Sequence, residues 1–230
     1  MLRCVLIGLA VASMGTAATA ATGLDFTSAS IGTLQQVEFN GFTDSFAGGT
    51  AALPGLSARL GFKLESIVGN QWSFAYSVAN TSIAPVTSSR VSVFGFNPSQ
   101  VLRTTTAIGE FSSISSGIVP VGRGSRAVCF RTGNGGECAG GGNGGVTIGE
   151  AASTGVFKLI FAAPTTSVIL NDLFVRYQSL NVPSRRILGA SGVGDVAVGG
   201  VPEPTTWGML IIGFATIGEA MRRNRGVAAD

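Results

Sequence analysis

Between Leu56 and Ala79 the chain alternates apolar side chains with polar or small ones, and that period of two limits what it can fold into. Leu56, Ala58, Leu60, Phe62 and Leu64 alternate with Ser57, Arg59, Gly61, Lys63 and Glu65. Trp72, Phe74, Tyr76 and Val78 alternate with Ser73, Ala75, Ser77 and Ala79. Successive side chains of a strand point to opposite faces, so each run predicts a half-buried antiparallel strand. Gly69-Asn70 between them is a hairpin turn signal. Val37–Phe46, Arg90–Phe96, Ala127–Arg131, Gly155–Phe161 and Val168–Gln178 are further strand candidates. Asn97-Pro98, Pro120, Pro164-Thr165 and Pro183 punctuate them as turns or loops. Helical periodicity is confined to the two ends. The pattern predicts an all-β fold, an antiparallel two-sheet sandwich of jelly-roll-like kind.

The N-terminal segment reads as a signal helix. Arg3 is a minimal basic start, Val5 to Ala12 a short apolar core, and Ala18-Thr19-Ala20 supply the small residues that a signal peptidase reads. Cleavage is expected after Ala20, with Ala21 as second choice, so residues 1–20 leave and take Cys4 with them.

The other end is a stiff, then apolar, then basic tail. Pro202 and Pro204 restrict the approach to a helix whose first turn tolerates proline, and Glu203 falls near its positive dipole end. From Trp207 to Met221 the run is apolar apart from Thr216 and Glu219. As a helix those residues rise only about 22 Å against a hydrocarbon core of roughly 30 Å. Such a helix spans a bilayer by recruiting its flanks, thinning the membrane, or letting Glu219 and the arginines snorkel. Arg222, Arg223 and Arg225 then form a cytoplasmic stop, with Trp207 as interfacial anchor. The competing reading is an amphipathic helix that closes a soluble core.

Pro202-Glu203-Pro204, Trp207, Met209-Leu210-Ile211, Gly213-Phe214, Gly218 and the closing arginines together resemble the sorting tail of PEP-CTERM proteins of the Trp-containing subtype. The likeness covers residues 201–225, and it departs at Gly208, where alanine is usual, and at Ala215, where a further glycine is common. Asn224 also interrupts the arginine run. The resemblance implies a Gram-negative, exopolysaccharide-producing cell and an exosortase that recognises and processes the tail. It further implies export, an inner-membrane intermediate, and a final place at the cell surface or outside the cell.

Between those ends, residues 21–200 hold eleven Lys and Arg against nine Asp and Glu, a formal charge of only +2. The overall basicity therefore belongs partly to the targeting segments, and a nucleic-acid partner loses its electrostatic footprint. In an exported chain Cys129 and Cys138 are an even pair in an oxidising compartment, and a disulfide is the natural reading, against free thiols or a metal site. Closing that loop would stabilise by roughly 2.5–3 kcal/mol on the chain-entropy account. Residues 133–149 carry nine glycines in seventeen positions, which predicts an exposed, mobile loop clipped at its base by the cysteines. The cysteine pair, Cys138-Ala139-Gly140-Gly141-Gly142 and the tail are together similar to the cistern subgroup of PEP-CTERM proteins. Residues 21–188 are thus read as the β-sandwich domain, 189–200 as a Gly-rich linker and 201–230 as the sorting tail with its short transmembrane helix.

Catalytic chemistry finds little footing. The chain has no histidine, so hydrolase triads lack their usual base. Gly122-Arg123-Gly124-Ser125-Arg126-Ala127 and Gly192-Val193-Gly194-Asp195-Val196-Ala197 match a dinucleotide pattern without the strand-then-helix setting it needs. The glycine run lacks the aspartate of calcium-binding repeats, having Val146 and Thr147 instead. Nine acids between residues 21 and 200 show no grouping that suggests a glycosidase pair. No metal and no cofactor are expected. Trp72 and Tyr76 share a strand face that is either core or a sugar-stacking platform, with core favoured. Tyr177, Arg123, Arg126 and Arg131 remain as candidate contacts to an anionic polysaccharide, against the plainer reading of a solvated loop edge. The expectation is a non-enzymatic structural protein of the envelope or matrix, with a carbohydrate-binding module as the alternative.

Overall fold

In the computed structural model, residues 23–44, 50–120, 124–183 and 190–196 are described. They form twelve strands: β1 (Gly23–Thr27), β2 (Leu34–Asp44), β3 (Thr50–Val68), β4 (Gln71–Asn80), β5 (Ser88–Pro98) and β6 (Leu102–Gly109). β7 (Ser113–Ile118), β8 (Ser125–Arg131), β9 (Val146–Thr147), β10 (Ser153–Phe161), β11 (Ser167–Asn181) and β12 (Ala190–Val196) follow. Short 3-10 turns at Ser28–Ser30 and Glu137–Ala139 are the only helical elements among the described residues. The signal segment with Ala18, Ala20 and Ala21, residue Arg123, and the tail from Pro202 to Arg225 lie outside the described residues. No helix of the described residues is long and apolar enough to cross a membrane.

All strand pairings are antiparallel, in the order β6-β10-β4-β3-β2-β12-β11-β5-β8-β7, with β1 added to β11 and β9 to β5. β3 and β4 make the expected hairpin around Gly69, whose positive φ of 61° suits glycine. Alternation fixes their inward face, so Leu60, Phe62, Leu64, Trp72, Phe74 and Tyr76 are all buried. Across the interior stand β1, β5 and β8. Phe62 of β3 lies 5.9 Å from Phe94 and 6.1 Å from Phe96, centroid to centroid. Phe74 meets Phe26 at 5.1 Å, and Phe157 of β10 meets Phe130 at 4.7 Å. These edge-on and tilted pairs each add about 0.5–1.5 kcal/mol beyond their buried area.

The two layers of the sandwich are therefore present. They are also continuous, because β12 is hydrogen-bonded to β2 on one side and β11 on the other. This corrects the division of the chain: residues 190–196 of the expected 189–200 linker belong to the sheet. Ala190-Ser191-Gly192-Val193-Gly194 looks like a spacer because it lacks alternation. Its small residues suit a crowded seam, where a Cβ on Gly192 would stand 2.5 Å from the Asn40 carbonyl oxygen. Among the described residues, β6 and β7 form the two free ends of the sheet path.

Candidate functional site

The glycine-rich segment is built onto the sheet rather than hung from it. Cys129, on β8, and Cys138, in the turn Glu137–Ala139, are disulfide-bonded with their Cα atoms 5.6 Å apart. Both sulfurs are buried with Val93, Val119 and Phe174 in an apolar cluster separate from the main core. Gly95 makes room for it, since a Cβ there would stand 2.6 Å from the Phe174 ring and 2.9 Å from the Cys129 Sγ.

Arg90 holds the loop that follows. Its Nη1 donates to the Gly144 carbonyl, and Nη2 donates to the Gly141 carbonyl at 3.2 Å and to the Gln178 side-chain Oε1 at 3.0 Å. Thr132 Oγ1 donates to the Asn143 carbonyl, while the Glu110 carboxylate accepts from the Gly145 N–H. Asn80 Nδ2 donates to the Val146 carbonyl at 3.1 Å. Gly145 adopts φ 104°, and a Cβ there would stand 2.4 Å from the Val91 carbonyl oxygen. The segment is thus bonded along its length as well as clipped at its base. Glycines let the backbone lie close to the sheet, and side chains from β4, β5, the residue after β8 and the β6–β7 connection bind its carbonyls and amides.

The candidate polysaccharide contacts do not form an open platform. Tyr177 is fully buried, and its hydroxyl donates to the Phe39 carbonyl at 3.3 Å. Burial, with a smaller contribution from Glu38, pushes its phenol well above its ordinary range. Tyr177 is therefore removed from the surface contacts: Val175 and Tyr177 project into the same core. Arg126 is 8% exposed, its Nε donates to the Asp172 carbonyl, and its guanidinium carbon lies 5.4 Å from the Phe174 ring centroid. That cation–π contact and backbone bond turn it toward the protein. Arg131 is half-buried and donates to the Gly133 carbonyl at 3.2 Å. Trp72 and Tyr76 are core, as favoured from the alternation. The Tyr76 hydroxyl accepts from the Phe111 N–H at 3.2 Å, and burial is the main cause of its raised pKa.

The carboxylates with partners are engaged one by one. Glu38 pairs with Arg59, Glu65 with Lys63 at 2.8 Å, and Asp172 accepts from Asn97 Nδ2 at 2.8 Å. Glu137 accepts from the Ile118 N–H and Glu150 from the Thr147 N–H. Among the described residues no group of three His, Cys, Asp or Glu is placed to hold a metal ion. Gly124 leads into β8 and Gly192 lies within β12, so among the described residues neither dinucleotide pattern meets a helix N-terminus. A cleft of about 340 Å³ lies between β2, β3 and Ile83, lined by Asn40, Leu53, Pro54 and Leu56, without a titratable side chain.

Sequence reasoning missed Arg90, Gln178 and Glu110 as the residues that shape this region. The available signal was an arginine immediately before the buried run Val91–Phe96, where an unpaired charge is costly. The chain matches no protein-family model, no curated protein and no solved structure.

Proposed function

We propose that the chain is an exported, exosortase-processed envelope or extracellular-matrix protein with a non-catalytic structural role linked to exopolysaccharide. The observation that carries this reading is the amino-acid sequence of the tail, Pro202-Glu203-Pro204, Trp207, Gly213-Phe214 and Arg222-Arg223-Asn224-Arg225. A signal helix over residues 1–20 starts export and signal peptidase removes it. A short transmembrane helix within residues 201–230 holds the intermediate in the inner membrane until exosortase acts. The product then resides at the surface of a Gram-negative cell or is released.

The fold supports this reading at two points. A buried disulfide suits an oxidising compartment. Carboxylates held by local ion pairs and backbone amides serve architecture, which favours a structural role over acid–base chemistry. The repeated passage of the chain between layers favours the jelly-roll-like arrangement. The cysteine pair with Cys138-Ala139-Gly140-Gly141-Gly142 favours the cistern subgroup. Carbohydrate binding is the weaker reading, since Trp72, Tyr76 and Tyr177 are unavailable for stacking.

The test is a Pro202→Ala, Pro204→Ala chain expressed in a cell that makes an exosortase, followed by fractionation. The expected result is an unprocessed, membrane-retained form beside a normally released parent. Release of the variant at the parental level overturns the sorting proposal.

A further inference from the structure

The two free ends of the sheet path differ in how they are finished. β7 is blunted: its pairing with β8 shifts register between Ser115 and Gly117, and the Glu137 side chain lies against Gly117. Glu137 also accepts the Ile118 N–H, so the turn that carries Cys138 consumes part of that edge. β6 pairs with β10 alone among the described residues. Its irregularity, the extra residue Arg103, lies at its beginning, and from Thr104 to Gly109 it is regular. Thr104-Thr105-Thr106-Ala107-Ile108 is rich in β-branched residues, without proline, lysine or an inward charge to discourage pairing. Ile108 is 74% exposed and sits beside exposed Val156 of β10.

We propose that β6 is a self-association edge whose partner is β6 of a second copy of this chain, paired antiparallel about Thr106. Three arguments select that partner and register. Thr105 and Ala107 share a row with buried Leu159 and Phe157, whereas Thr104, Thr106 and Ile108 face outward. A slip by one residue would turn inward side chains outward, so opposing residue numbers must share parity. Centring on Thr106 places Thr104 opposite Ile108, Thr105 opposite Ala107 and Thr106 opposite its own copy, matching β-branched neighbours on the outer face. The charges agree with that direction. Arg103 of one copy arrives beside Gly109 and Glu110 of the other, whereas parallel pairing would set the two arginines side by side. A two-fold pairing also closes, giving a dimer whose outer layers merge into one wider sheet.

Cysteine placed in the full-length chain tests it by register. Opposing Cα atoms in an antiparallel pair lie about 4.5–5.5 Å apart, within reach of a disulfide. Thr106→Cys should therefore give a covalent dimer under mild oxidation, well above the background set by Cys4 in the parent. Thr104→Cys should stay at that background, and the Thr104→Cys, Ile108→Cys double variant should regain the dimer. Thr106→Lys sets like charges opposite each other and should shift sedimentation to monomer while leaving circular dichroism unchanged. Equal cross-linking at positions 104 and 106, or association undisturbed by Thr106→Lys, overturns the proposal. The second outcome would assign association to another surface.

Discussion

Gly155 and Tyr76 are locked to each other: a Cβ on Gly155 would stand 2.3 Å from the Tyr76 hydroxyl and equally close to the Ile108 carbonyl oxygen. Gly155 of β10 lies directly opposite Tyr76 of β4, so the phenol crosses over bare backbone to reach the Phe111 N–H. Gly155→Ala should destabilise the fold by about 1–3 kcal/mol through overpacking. For a chain of this size that lowers the melting temperature by about 2–4 °C per kcal/mol. Tyr76→Phe in the same chain should restore part of the loss by removing the hydroxyl, leaving the contacts with the Ile108 carbonyl and, at 2.5 Å, the ring Cζ. Thermal unfolding of both variants measures it, and additive losses in the double variant would refute the coupling.

Tyr76 and Tyr177 are the chain's two tyrosines, and burial raises both phenols above the ordinary value of 10.0. A phenol with a raised folded pKa keeps its proton longer in the folded state than in the unfolded one. Its contribution to stability is whole below pH 10.0 and declines as pH rises through the folded value. Stability should therefore fall above pH 10, more steeply from Tyr177, which is fully buried. Phenolate absorbance should appear together with loss of near-UV dichroism, and Tyr177→Phe should flatten the alkaline decline. Phenolate signal from Tyr177 at pH 10 in the folded chain would contradict its burial.

The strands easiest to read were those with one buried and one wet face. Leu56–Glu65 and Trp72–Ala79 alternate because each lies inside one layer with solvent behind it, and the hairpin at Gly69 follows. β6 lacks a clear pattern because, among the described residues, its one partner strand lies on one side and threonines occupy both of its faces. β12 escaped for the opposite reason: it is wedged at the seam, where bulk is excluded and small residues imitate a linker. Tyr177 was legible in principle, since Val175 and Tyr177 repeat at a spacing of two beyond the irregularity at Asp172, where φ is 51°. The flanking Arg176 and Gln178 drew attention to the surface instead. The disulfide was legible from cysteine arithmetic, but its place in an apolar cluster needs the packing of Val93 and Phe174 around it.

Arg90 and the disulfide should make separable contributions to the glycine-rich segment. Arg90 sits 9% exposed with its donors on the Gly141 and Gly144 carbonyls and the Gln178 side-chain Oε1. Arg90→Ala leaves those acceptors without their donor and should cost about 1–3 kcal/mol, with faster amide exchange across residues 140–145. Cys129→Ser with Cys138→Ser removes a crosslink buried in its own apolar cluster and should cost about 2–5 kcal/mol. Its exchange signature should centre on the Glu137–Ala139 turn and on β7, whose Ser115 hydroxyl and Ile118 N–H both bond Glu137. β3 and β4 should stay protected in both variants, because their ring contacts reach across the main core instead. Exchange spreading through β3 and β4 in the cysteine variant would make the disulfide a staple of the whole fold. Unchanged exchange at residues 140–145 in Arg90→Ala would mean that Thr132, Glu110 and Asn80 hold the loop without it.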